Sequence, residues 1–394
     1  MSVLIMTTVP PQFTCGVNTH ITYLIQGLQE WGIEHDLLTY SSQAQYSRMA
    51  FAKNLLRKLK YDPMDRWLRH KKIFHFRRLL REQLAKRSYQ LIHSHDGYAT
   101  LAVLDEIGKK IPIITTMHGP LAYEMVSMGE NENSQFVLET FSMEKRAFSN
   151  SDLCIAVDTR LMNVLHQDMN TKPENIRMIP NALKIEHIQK VAQGMNVFNI
   201  PSPFYLIPRR IVPNSGIQYA IEALQYCHQS ISLAIAGDGS FRAHLDHLVD
   251  QLKFDKRIKF LGDVRQEKLL PLMMASSGVL VPSIPSHGVI EATSLAVLEA
   301  MACKKPIIAS DIGGISEILR PIDYPFLTKP GDAEQIGRYM DAILAMDKDP
   351  LNQILERNYQ QVVKRHSLEV WMRATLNAYQ AACGIDFLGE KQPA

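Results

Sequence analysis

The stretch from Gly278 to Ser310 restricts the fold more than any other in the chain. Gly278-Val-Leu-Val-Pro-Ser283 is a short apolar run with a stop, Pro306-Ile-Ile-Ala-Ser310 is a second, and a helical segment lies between them. Runs this short read as buried strands, and a helix between two of them is the crossover that parallel strands need. In open parallel sheets ligands bind beyond the carboxyl ends of the strands. The first turn of a crossover helix offers unpaired N–H groups there, which suit a diphosphate; Thr293, Ser294 and Leu295 are placed to supply them. Glu291 and Glu299 straddle this helix start, at most ~12 Å apart at about 1.5 Å per residue. One carboxylate can take one polyhydroxyl group and the second another, with phosphates between, which is the shape of a nucleotide sugar. Two glutamates at this spacing are otherwise a solvated helix face.

The same alternation runs through the rest of the chain. Val3-Leu-Ile-Met, His35–Tyr40, Leu91–Asp96, Pro112–His118 and Leu153–Asp158 read as strands, and a fresh series opens at Phe204-Tyr-Leu-Ile-Pro208. The class is α/β, and 394 residues imply two domains. No apolar run reaches membrane-spanning length and Met1-Ser-Val-Leu-Ile-Met lacks a basic leader, so a cytoplasmic chain is expected. Five scattered cysteines fit a reducing compartment and form no metal framework.

Several polar residues stand at strand ends. His93 and His95 share one strand face, but no third ligand follows at zinc-like spacing, so no metal is expected there. His118 lies where an α/β domain binds ligands and is either functional or a satisfied structural histidine. Gly16 is a tight turn or a ligand-facing loop. Arg209 and Arg210 follow a strand and face a helix start, a place for a diphosphate. Gly237-Asp-Gly239 is a strand-end turn, Glu144 reads as a surface charge, and Asp347-Lys-Asp349 as a solvated turn rather than a metal clamp.

Between Lys53 and Arg87 thirteen Lys or Arg oppose Asp62, Asp65 and Glu82, about +10 in a chain of net +3. Ile73, Phe76, Leu80 and Leu84 recur within it at helical spacing, making a basic amphipathic helix. Its apolar stripe lies either in the headgroup zone of an anionic membrane or on the chain's own core. Nucleic acid is not expected, because no stacking or helix-turn-helix pattern accompanies the charge.

The block from Val281-Pro-Ser283 through Glu291-x7-Glu299, Ala300-Met-Ala-Cys303 and Gly313-Gly314-Ile-Ser-Glu317 resembles the signature of family 4 retaining glycosyltransferases of the GT-B fold. The resemblance spans Gly16 to the C-terminal helix. It implies two Rossmann-like domains facing across a nucleotide-sugar cleft. The first is residues 1–183, completed by a helix at about 367–383; the second is 184–366, with Lys184–Ser202 as the connection and 384–394 as a disordered tail. It implies that Glu291 contacts the transferred sugar, Glu299 the ribose, and His118 the sugar near its reacting carbon. Gly237 and the Val264 loop belong to the donor site, the loop holding the base through backbone atoms. Gly16 closes the family's Gly-Gly loop with Cys15 in place of the first glycine, and Cys15, His95, Asp96 and Glu144 lie on the acceptor side. Arg210 keeps the family's phosphate arginine, but Ser215, preceded by Asn214, stands where the family has lysine.

The implied reaction moves a hexose-type sugar from a nucleotide diphosphate, UDP favoured, to a hydroxyl of a sugar, lipid-linked or small-molecule acceptor, without cofactor or metal. A nucleotide-sugar epimerase or hydrolase, or a silent nucleotide-sugar-binding subunit, are the alternatives.

Overall fold

The computed structural model describes residues 2–11, 16–39, 62–127, 129–286 and 290–387. The chain divides into two units, Met1–Ile179 with Met372–Ala394, and Pro180–Trp371.

In unit 1, strands β1 (Ser2–Thr7), β2 (Glu34–Thr39), β3 (Leu91–Ser94), β4 (Ile113–Met117), β5 (Leu153–Ala156) and β6 (Ile176–Met178) form one parallel sheet in the order β2-β1-β3-β4-β5-β6. Helices α1 (Gly16–Glu30), α2 (Asp62–Leu84), α3 (Gly97–Ile107), α4 (Leu121–Ser127), α5 (Gln135–Ser149) and α6 (Thr159–Gln167) connect the strands. Three helices are capped by their own N-cap residue: Asp96 accepts the Ala99 N–H, Ser134 that of Val137, and Asp158 that of Leu161.

In unit 2, β7 (Phe204–Pro208), β8 (Ser232–Ala236), β9 (Ile258–Gly262), β10 (Gly278–Val281), β11 (Ile307–Ser310) and β12 (Leu327–Thr328) are ordered β12-β11-β10-β7-β8-β9, again parallel. The helices are α7 (Ile185–Ala192), α8 (Ile217–Glu222), α9 (Arg242–Leu252), α10 (Gln266–Ala275), α11 (Leu295–Ala302), α12 (Gly313–Leu319), α13 (Ala333–Ala345) and α14 (Lys348–His366); the last helix, α15 (Leu368–Cys383), belongs to unit 1 from Met372 onward. Both sheets reverse direction beside their first strand, between β1 and β3 and between β7 and β10. Those topological switch points are where doubly wound sheets bind ligands.

Four expectations change. The segment read as a connection carries α7, whose Ile185, Ile188 and Ala192 are buried. Asn181 and Leu183 are bonded to His366, at 2.9 Å to its Nδ1 and 2.8 Å to its carbonyl, so Pro180–Leu183 goes with unit 2. Helix α14 begins at Lys348, so Asp347-Lys-Asp349 is a helix start. The tail is packed at least as far as Phe387, which is 5% exposed with its ring edge-on to Tyr379 at 5.4 Å; residues 388–394 lie outside those described.

The stripe on α2 is also settled. Ile73, Phe76 and Leu80 are buried in the core of unit 1, with Leu84 packed against them, so the stripe faces the chain's own core and not a membrane. Several cations of the helix are consumed internally: Arg69 bonds Thr140 and Glu139, and Arg77 and Arg81 both reach Glu106. Residues 53–61 of the basic segment lie outside the described residues. Among the described residues, no helix is long and apolar enough to cross a membrane.

Candidate functional site

In unit 2 the chain leaves β7 at Pro208 and immediately presents Arg209 and Arg210. The Arg209 N–H bonds the Ala236 carbonyl at 3.0 Å, which pins the strand end. Gly237 makes this possible: with φ of +152°, a Cβ there would stand 2.0 Å from the Arg209 carbonyl oxygen. The Arg209 guanidinium grips Glu291 with both arms, Nη1 to Oε1 at 2.9 Å and Nη2 to Oε2 at 2.7 Å. These side chains are 11% and 18% exposed, so the fork is partly shielded and its geometry is well matched. Ser283 adds a hydroxyl contact to Glu291 at 3.4 Å.

The loop carrying Glu291 is seated by the glycine pair that opens α12. The Gly314 N–H bonds the Glu291 carbonyl at 3.0 Å, and a Cβ on Gly313 would stand 2.2 Å from the same oxygen. Arg210 is exposed and has no ion-pair partner among the described residues. Ser215 is buried and its hydroxyl donates to the Val212 carbonyl at 2.6 Å. The position expected to carry a second phosphate cation therefore closes a turn instead, and the two adjacent arginines are the cations at this strand end.

Helix α11 starts with Ser294 as its N-cap residue, whose side chain makes no capping bond among the described residues. Its ladder opens with the Leu298 N–H on the Ser294 carbonyl, so the unpaired helical N–H groups belong to Leu295, Ala296 and Val297. Of the expected Thr293, Ser294 and Leu295, Leu295 opens the helix and Ser294 is its extended N-cap, while the Thr293 carbonyl accepts the Asn181 amide at 3.3 Å. One turn into the helix Glu299 is buried, and Gln266 donates to its Oε1 at 2.6 Å. Burial raises its carboxyl to about 7, the Gln266 bond opposing. Gln266 was not singled out by sequence; its only signal is that it opens α10 two residues after Val264.

The site of unit 1 is built from histidines. His20 lies on α1, His95 follows β3 and His118 follows β4. Their ring centroids are 4.6 Å (His20–His118), 5.2 Å (His20–His95) and 5.6 Å (His95–His118) apart. His95 Nδ1 and His118 Nε2 are separated by 3.3 Å. His93, behind them, is tied by both ring nitrogens, to the Tyr379 hydroxyl at 2.7 Å and the Thr116 hydroxyl at 2.8 Å. Burial is the main reason that His93 falls to about 3 and His95 and His118 fall well below the usual histidine range; the neighbouring imidazoles add to it. All three are neutral at pH 7.

The remaining acceptor-side residues have structural work. Asp96 caps α3 and also takes the Thr8 N–H at 2.6 Å and the Thr7 hydroxyl at 3.1 Å. Glu144, read as a surface charge, is buried and caps α4, accepting the Leu121 and Ala122 N–H groups at 2.7 and 3.0 Å. It thereby anchors the chain directly after His118-Gly-Pro; burial lifts its carboxyl to about 7 against those two bonds. Gly16 is the first residue of α1, and Cys15 lies outside the described residues.

Two family models match most of the chain: Glycosyltransferase Family 4 over residues 14–187 and Glycosyl transferases group 1 over residues 194–361. An uncharacterized glycosyltransferase of Methanocaldococcus jannaschii is 23% identical over 392 residues, covering 95% of this chain and 96% of that one. The gpi3 subunit of phosphatidylinositol N-acetylglucosaminyltransferase from Schizosaccharomyces pombe is 23% identical over 318 residues, 77% of this chain and 64% of that protein. The structure of HepE from Anabaena in complex with UDP and glucose superposes with a TM-score of 0.67 at 18% identity, over 96% of this chain and 99% of that one; the likeness is one of fold.

Proposed function

The chain belongs to the family 4 glycosyltransferases and has the GT-B fold, and on that premise we propose that it moves a hexose-type sugar from a UDP-sugar to a hydroxyl acceptor with retention of configuration. The observation that carries this is the grouping at the β7–β10 switch point: Arg209 and Arg210 at one strand end, the Arg209–Glu291 fork, and the start of α11 ahead of buried Glu299. UDP is favoured because HepE binds it in the same fold.

Retention by double displacement needs a free carboxylate beneath the reacting carbon. Glu291 and Glu299, the two carboxylates of this junction, are assigned to holding the sugar and the ribose, which favours a front-face reaction in which the leaving diphosphate takes the acceptor's proton. Arg210, the N–H groups of Leu295 to Val297, and Arg209 as it exchanges Glu291 for phosphate, meet the charge that develops. No divalent ion is required at the diphosphate. His118, neutral at pH 7, serves beside the reacting carbon.

UDP release from UDP-glucose and UDP-N-acetylglucosamine, with and without phosphatidylinositol vesicles, tests the reading. Release that depends on the vesicles and an α-linked glycolipid product are expected. Equal release without acceptor would make the chain a hydrolase, sugar isomerisation an epimerase, and nucleotide binding without turnover a silent subunit.

A lipid acceptor is proposed on two grounds. The S. pombe relative is named for phosphatidylinositol, and the solvent face of α2 carries Trp67, Lys71, Phe74 and Arg78 at three- and four-residue spacing. Trp67 is 49% and Phe74 70% exposed, and the Lys71 ammonium sits 4.6 Å over the Trp67 ring. Aromatics with interleaved cations suit an anionic headgroup layer. Each cation near such a surface is worth ~1 kcal/mol, so combining Lys71→Gln and Arg78→Gln with Phe74→Ser is expected to weaken binding to phosphatidylglycerol-containing liposomes by tenfold or more. UDP binding should be unaffected. Unchanged liposome binding, or none by the wild type, contradicts the membrane proposal.

A further inference from the structure

We propose that His20, His95 and His118 form a site for one divalent transition-metal ion of the zinc, cobalt or nickel kind. The three imidazoles come from three separate elements of unit 1, and each offers a ring nitrogen within 4.8 Å of the others. Two already stand at ligand spacing. Nitrogens bound at ~2.0–2.1 Å to a tetrahedral zinc are about 3.3–3.4 Å from one another, and His95 Nδ1 and His118 Nε2 are 3.3 Å apart. The His20 ring, edge-on to both, closes the third side by a small movement of its side chain.

His95 is 2% exposed, so an ion on its Nδ1 is shielded from bulk water on that side. His93 is not a ligand, since both its nitrogens are engaged; with its centroid 4.3 Å from that of His95, it backs that ring. The donors are all imidazole nitrogen, which selects zinc, cobalt or nickel over magnesium or calcium. His118 is only half-buried, so the fourth position is left to water.

The site itself is independent of the proposed function. One consequence rests on that function: an ion that holds His118 takes it from the sugar, so occupancy lowers turnover. The titration below reads binding alone, and UDP release from the UDP-sugar with and without zinc reads the consequence, so either idea can fail alone.

Cobalt(II) titration of the metal-stripped full chain, followed by visible absorption and by equilibrium dialysis with zinc, tests the site. One equivalent per chain with the intense bands of four-coordinate cobalt is expected. His20→Gln and His95→Gln should each weaken binding at least tenfold, and His35→Gln, outside the cluster, should not. Circular dichroism and UDP binding in unit 2 verify that the variants fold. No bound cobalt in the wild type overturns the proposal whatever the variants do; wild-type stoichiometry and affinity in both folded variants overturn it as well.

Discussion

Arg209→Ala is expected to lower kcat/KM for the UDP-sugar by about 10²–10³-fold, the range seen when one preorganised donor to developing charge is lost. Arg209 has two tasks in the proposed cycle. It holds Glu291 through two bonds of 2.9 and 2.7 Å, and in the proposed cycle it turns to the diphosphate of the donor. Removing it leaves the Glu291 carboxylate, 18% exposed, without its cation and free to repel the donor. Glu291→Ala breaks the same fork from the other side and should have an effect of similar size. Because the two act as a unit, their losses are expected not to multiply. The double variant should fall little below the worse single, measured by steady-state kinetics on all four proteins. Multiplicative losses, or a change under threefold in Arg209→Ala, would show that the fork does not serve the reaction.

Glu299→Gln is expected to stabilise the nucleotide-free protein at pH 8 by roughly 3 kcal/mol, at 1.36 kcal/mol per pKa unit. The carboxyl is raised from 4.5 to about 7, by burial first, with Gln266 opposing. Between those values the folded chain keeps a proton that the unfolded chain has released. Stability from this group is therefore full below about 4.5, falls as pH rises towards 7, and is level above it. Glutamine has no such loss and still accepts the Gln266 amide through Oε1. Glu144 adds a slope of the same sign in unit 1, so the difference between variant and wild type isolates Glu299. Urea unfolding between pH 4.5 and 8 measures it. A pH-independent difference would mean that Glu299 titrates alike in the folded and the unfolded chain, against the burial argument.

The sheet of unit 2 was legible because β10 and β11 are apolar runs ended by Pro282 and by Ser310, with no other way to bury themselves. The junction between Glu291 and Glu299 was legible for the same reason. The side to which α2 turns its stripe was not: Ile73, Phe76 and Leu80 give one hydrophobic period whether lipid or protein covers them. Glu144 looked like surface because its partners are backbone N–H groups 22 and 23 residues away, and backbone donors leave no mark in a sequence. The histidine cluster escaped for a related reason. His93 and His95 drew attention as neighbours on a strand, whereas the rings that meet His95 come from α1 and from the end of β4. Arg209 reads as a phosphate cation; that it pairs with Glu291 follows only from the strand order that sets β7 beside β10.

The central claim is that the glutamate helix of unit 2 is a nucleotide-sugar donor site. Thermal stabilisation by UDP, GDP and ADP, on the wild type and on Glu299→Ala, tests it most directly. At 100 times its dissociation constant a nucleotide adds ~2.7 kcal/mol to the folded state. UDP is predicted to stabilise the wild type by about that amount, with little response to GDP or ADP, and Glu299→Ala is predicted to lose the UDP response while remaining folded. A wild type indifferent to all three nucleotides, or a Glu299→Ala variant that responds to UDP as the wild type does, would contradict the account.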